Sequence, residues 1–153
     1  MSPLERLRSA SALLFALLFL GCVPGLRPAP TPMPYQTLES SDSPCAVVFL
    51  PGVLDSPRDF DRKGFGTAIR GAGLELHAVA ADAHLRYYRK KTVTDRLRED
   101  VVEPLRADGR KVWLVGISLG GVGSLIYGKE HGNEIEGMVI LAPFLGGEEL
   151  IEE

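Results

Sequence analysis

The chain has 153 residues, 45% of them hydrophobic and 24% charged, with a net charge of −3. That length allows one domain, and the composition is that of a globular protein. The slight acidity gives no sign of nucleic-acid binding.

Arg6 and Arg8 precede an apolar run from Ala10 to Leu20. The run is too short for an ordinary membrane span, which needs about 20 apolar residues. It reads as a secretory signal peptide. Phe19-Leu20-Gly21-Cys22 follows, and no small-x-small cleavage site sits close after it. A small residue followed by cysteine resembles the lipobox of bacterial lipoproteins, with Phe19 where that motif usually has leucine. The resemblance implies cleavage before Cys22, lipid on Cys22 and attachment to a membrane of the cell envelope. The alternative is an ordinary export signal, with Cys22 free or bridged to Cys45. Six prolines between Pro24 and Pro44 predict an extended tether over 22–44, or a plain disordered arm. The expected division is a signal peptide at 1–21, a Pro-rich tether at 22–44 and a folded domain at 45–153.

A weak strand is expected around Tyr35 to Leu38. Ala46-Val47-Val48-Phe49-Leu50 reads as a buried strand closed by Pro51-Gly52. Ser56-Pro57-Arg58-Asp59 reads as a helix start, with Ser56 as cap and Asp59 reaching back. Phe65, Ala68, Ile69 and Ala72 give that helix an apolar face, weakened by Gly64 and Gly66 and capped by Gly73. Leu74 to Ala80 is the next strand, and 82–89 is a loop at its C-terminal end. A helix from Thr92 or Thr94 carries Val93, Leu97 and Val101 on one face. Pro104 should kink or end its regular part.

Lys111 to Gly128, KVWLVGISLGGVGSLIYG, organises what surrounds it. Val112 to Val115 reads as a strand buried on both faces. Val122, Leu125 and Ile126 can share one face of a following helix. Between them, Gly116-Ile117-Ser118-Leu119-Gly120 is a Gly-x-Ser-x-Gly sequence on a strand-to-helix turn. Such a turn projects the serine hydroxyl above the sheet and needs neighbours without bulk. The helix N-terminus favours negative charge at the same spot. The bland alternative is a glycine-rich structural turn. A fourth strand spans Glu136 to Ala142. Alternating strands and helices predict a mostly parallel sheet covered on both faces, with ligands beyond the strands' carboxyl ends.

Over about Cys45 to Gly147 this pattern resembles the α/β-hydrolase family. The resemblance implies a serine-type hydrolase acting on an ester or thioester, with a small-molecule acyl substrate and no cofactor or metal. Ser118 would be the nucleophile. The backbone N–H groups of Val53 and Leu119 would form the oxyanion hole; the bland reading of Val53 is a turn residue. The family supplies an acid and then a histidine after the serine, but no histidine follows His131. About four strands are visible, so the chain reads as the N-terminal portion of a hydrolase, a truncated frame or a fragment. His77 and His131 read as structural. His84 lies at the correct end of the sheet, with a pocket or surface role as its main reading. Glu148, Glu149, Glu152 and Glu153 read as a solvated surface. The competing function is a non-catalytic envelope-anchored remnant or binding protein of the same fold.

Overall fold

A computed structural model describes residues 28–144. The signal peptide, Cys22 and the acidic tail lie outside them. The strands are β1 (Tyr35–Glu39), β2 (Cys45–Leu50), β3 (His77–Ala81), β4 (Lys111–Ile117) and β5 (Gly137–Leu141). They form one sheet in the order β1-β3-β2-β4-β5. β3, β2, β4 and β5 are parallel, and β1 runs antiparallel along β3. The architecture is α/β, with five strands where about four were expected. The expected weak strand is β1, a full member of the sheet. Residues 29–39 are therefore tied to the body within the stretch expected as a tether. Met33 is buried, its N–H donates to Asp100 Oδ2 at 2.7 Å, and the Pro30 carbonyl accepts from Tyr87 Oη at 2.7 Å.

The expected helix from 57 onward is two, α1 (Pro57–Arg62) and α2 (Phe65–Gly71), because Gly64 sits at φ 81° and turns the chain between them. The Asp59 carboxylate accepts from the Ser56 N–H at 2.7 Å and from its hydroxyl at 2.6 Å, closing the first turn as the sequence predicts. These bonds, with Arg62, hold the Asp59 carboxyl down at about 2. The strand expected from Leu74 starts only at His77. The expected loop at 82–89 contains a short helix, α3 (Leu85–Arg89), with His84 at its N-cap. Val93, Leu97 and Val101 are buried together as expected. As expected, the regular α-helix is interrupted before Pro104, although the helical run continues past it. α4 (Val93–Leu97) widens into a π turn over Arg98–Val102 and continues as α5 (Glu103–Ala107). Pro104 cannot donate to the Asp100 carbonyl. The wider turn lets the Glu103 N–H reach back to Arg98 instead.

The two faces of the sheet are covered unequally. On one, α4, α5 and α6 (Leu119–His131) bury Val48, Leu50, Val112 and Leu114. On the other, α1 and α2 cover β1, β3 and β2 through Phe49, Phe60, Phe65 and Ile69. The three phenylalanines meet with ring centroids 5.1–5.4 Å apart, spacing at which tilted and edge-on rings attract. Among the described residues, that cover reaches β4 only at Val115 and Ile117, which pack against it half-buried, and leaves the rest of β4 and β5 open. Trp113 is 40% exposed and Val139 and Leu141 are also open, so β4 alternates rather than being buried on both faces.

The helix after Ser118 also departs from its periodicity. α6 turns Gly120, Gly121, Gly123, Ser124 and Tyr127 inward, not Val122, Leu125 and Ile126. Small residues win the inner face over the first turns, where the helix lies closest to the sheet, and Tyr127 fills it farther along. Leu114→Ala should therefore lower stability by about 2–5 kcal/mol. Leu125→Ala should stay within about 0.5 kcal/mol, read from urea denaturation midpoints. Equal losses at the two positions would contradict this packing.

Candidate functional site

The parallel strands bring their carboxyl ends to one edge of the sheet, and Ser118 sits there between β4 and α6. Its backbone is at φ 53° and ψ −113°, angles that mirror-image turns normally give to glycine. For a serine this conformation costs on the order of 1–3 kcal/mol, so the surroundings must impose it. They do so through two glycines. A Cβ at Gly116 would overlap the Gly120 carbonyl oxygen and come 2.5 Å from Ser124 Oγ. A Cβ at Gly120 would overlap the Leu50 carbonyl oxygen. Strand and helix thus meet at backbone contact. The Ser118 N–H donates to the Leu141 carbonyl at 2.9 Å, which ties the turn to the end of β5.

Ser118 occupies the N-cap position of α6, yet its hydroxyl makes no capping hydrogen bond. The side chain is half-buried and left for other work. The loop after β2 runs beside it, because β2 pairs directly with β4 and Leu50 is in register with Gly116. The β position of Gly52 lies 3.6 Å from Ser118 Cβ and 3.2 Å from Asp55 Oδ2. Asp55 is ion-paired with Lys63 at 2.8 Å, and its N–H closes a turn on the Gly52 carbonyl at 3.2 Å. Among the described residues, neither the Val53 N–H nor the Leu119 N–H donates to an acceptor. Ser118, Val53 and Leu119, the three positions singled out from sequence, therefore lie together. Leu119 opens a 13-residue helix, so its amide is one of the orphan donors at the positive end of the helix dipole.

The histidines lie elsewhere. His77 begins β3, level with Ala46 and Val112, about 20 Å down the sheet from Ser118. Burial, then the charge of Arg110, lowers its affinity for a proton. His131 ends α6 with its ring 5.2 Å from that of Tyr127. His84 is at the carboxyl edge, but β3 is two strands from β4, about 10 Å away. Its Nδ1 accepts from the Arg86 N–H at 3.4 Å, and its buried ring packs on Tyr87. Tyr88, on the same short helix, carries its hydroxyl to the α6 backbone at Gly123, where burial pushes its pKa up. The site also contains a feature the sequence did not announce. Ala142 is at φ 44°, and the chain after β5 folds back so that the Phe144 N–H donates to the Ser118 carbonyl at 3.3 Å. Pro143 was the one sequence signal of an abrupt end there.

The chain matches no protein-family model and no curated protein.

Because the elbow depends on two bare backbones touching, Gly120→Ala should destabilise by about 3 kcal/mol or more. Gly71→Ala is the contrasting case, since nothing lies within 4 Å of its β position. There, added helix propensity should stabilise by roughly 0.5–1 kcal/mol. Urea denaturation of both variants checks the pair, and a tolerated Gly120→Ala would contradict the close contact.

Proposed function

We propose that this protein is a serine-type hydrolase of the α/β-hydrolase fold, acting on an ester or thioester by acyl transfer through Ser118. The strained backbone of Ser118 carries the reading. A non-glycine residue held in a glycine conformation by two obligatory glycines is a cost that folding alone does not call for. The same turn leaves the hydroxyl without a capping hydrogen bond.

In the proposed reaction, Ser118 Oγ attacks the acyl carbon and its proton passes to a general base. The amides of Val53 and Leu119 hold the oxygen as it takes up negative charge. The tetrahedral species collapses with loss of the alcohol or thiol, which takes up a proton. Water then attacks the acyl-serine, releasing the acid and restoring the hydroxyl. What this chain supplies is the nucleophile, its orientation and the oxyanion donors. None of its three histidines lies beside Ser118. That observation favours a second reading, a non-catalytic binding protein of the same fold. We also propose export and lipid attachment at Cys22, supported by the charged start, the apolar run and the Gly21-Cys22 pair.

A fluorophosphonate probe separates the two readings, because it reports an activated serine. With no histidine beside Ser118, the 153-residue chain should label very slowly. Disabled triads in serine proteases keep only about 10³–10⁴-fold over water. A version extended to carry an acid and a histidine after the serine should label at Ser118, and Ser118→Ala should abolish it. Absence of labelling in the extended form would favour the binding protein. For the anchor, Cys22→Ser should move the protein from the detergent phase to the aqueous phase in a bacterial host. A wild-type protein already in the aqueous phase would exclude the lipid.

A further inference from the structure

Three features meet at the carboxyl edge of the sheet. Ser118 sits there, at the end of β4. The chain enters there, because β1 runs antiparallel from that edge. Tyr35 is level with Ala81, and the Pro34 carbonyl accepts from the Asp82 N–H at 2.8 Å. The link from β3 to α4 also lies there, since β3 and β4 are parallel and residues 93–107 must carry the chain back to the opposite edge. That link ends in Arg89, Lys90 and Lys91, three exposed cations in a row. Among the described residues, none of the three joins an ion pair. Of the carboxylates closest to them in sequence, Asp82 is buried and Asp95 is exposed.

One side chain joins the entry of the chain to the cations. Tyr87 of α3, two residues before Arg89, donates its hydroxyl to the Pro30 carbonyl at 2.7 Å. Eight residues separate Cys22 from Pro30, a reach of at most about 29 Å. Lipid on Cys22 would therefore hold the carboxyl edge, rather than any other side of the molecule, close to a bilayer. Charges act over about 10 Å at 0.1 M salt. With this edge on the surface the triplet falls inside that range. Asp42, Glu75 and Glu136 flank the opposite ends of the strands, about 23 Å away along the seven residues of β4, and are screened. Each lysine or arginine beside an anionic leaflet strengthens attachment by about fivefold. We infer that the carboxyl edge docks on an anionic phospholipid bilayer through Arg89, Lys90 and Lys91, with the Ser118 edge turned toward the membrane. This rests on the lipid attachment at Cys22 proposed above and adds to it a face and a headgroup charge.

The test places the full chain, purified from bacterial membranes, in phosphatidylcholine nanodiscs with or without phosphatidylglycerol. A gadolinium-bearing headgroup lipid broadens nearby amide signals. With phosphatidylglycerol present, the amides of 84–91 and Leu119 should broaden severalfold more than those of 108–111. The bias should vanish in phosphatidylcholine alone, and in about 1 M salt, where screening shortens to about 3 Å. It should vanish too in the triple variant Arg89→Gln, Lys90→Gln, Lys91→Gln. Even broadening in the phosphatidylglycerol discs, or a bias that the triple variant keeps, would overturn the docking face. Intact mass reads the lipid on Cys22 separately. A lipidated chain with even broadening would overturn the face and leave the anchor. An unlipidated chain that still shows the salt-sensitive bias would overturn the anchor and leave the face.

Discussion

The structure depends on one contact, the approach of the first turn of α6 to the ends of β2 and β4. Two glycines allow it, and a methyl group at either would overlap a carbonyl oxygen across the gap. Once backbones meet at that range, the residue between strand and helix has no ordinary conformation left. Ser118 takes a positive φ because the helix must start at once and in one direction. The same contact decides the inner face of α6. Gly121, Gly123 and Ser124 fit against the sheet, and the larger Val122, Leu125 and Ile126 are displaced outward. A free hydroxyl, unused helix amides and a glycine-lined helix are thus one consequence of a single packing distance.

Sheet order then decides which loops can attend the serine. β2 lies next to β4, so the turn at 52–55 reaches the elbow. β5 lies on the other side, so its exit does as well. β3 is one strand further out, so His84 and Asp82 share the carboxyl edge at two strands' distance from β4. Their short helix contributes at a distance, because Tyr88 packs where Gly123 leaves room. The other end of the sheet is closed by charge. Arg110 binds the carbonyls of Ser41 and Ser43 at 2.8 Å and 2.6 Å, holding the loop between β1 and β2.

Much of this was legible in the residues. Gly116-x-Ser118-x-Gly120 carried the elbow, and Ser56-Pro57 with Asp59 carried the start of α1. The β-branched runs at 46–50 and 112–115 carried the central strands. What sequence missed has a physical cause in each case. Periodicity put Val122, Leu125 and Ile126 on the inner face of α6, whereas distance to the sheet selects the small residues of its first turns. Alternation along β4 was hidden because Trp113 is as apolar as its neighbours, though its face is only partly covered. Pro104 read as a kink or the end of the regular helix, and what sequence could not give was the form, one widened turn that absorbs the missing N–H while the helix continues. Gly64 read as a weak point within a helix, and its positive φ makes it a break.

The segment before β1 gives the fold a mechanical character. Chain tension arriving from the N-terminal side would not reach the sheet first. It would be taken up at Pro30, whose carbonyl is held by Tyr87, and then at Met33, whose amide is held by Asp100. Both holding groups belong to the helical layer, on α3 and the π turn, so the pull passes into helices that pack on the core. β1 would start to peel from β3 only after those two bonds gave way. Ser118 lies three strands farther across the sheet.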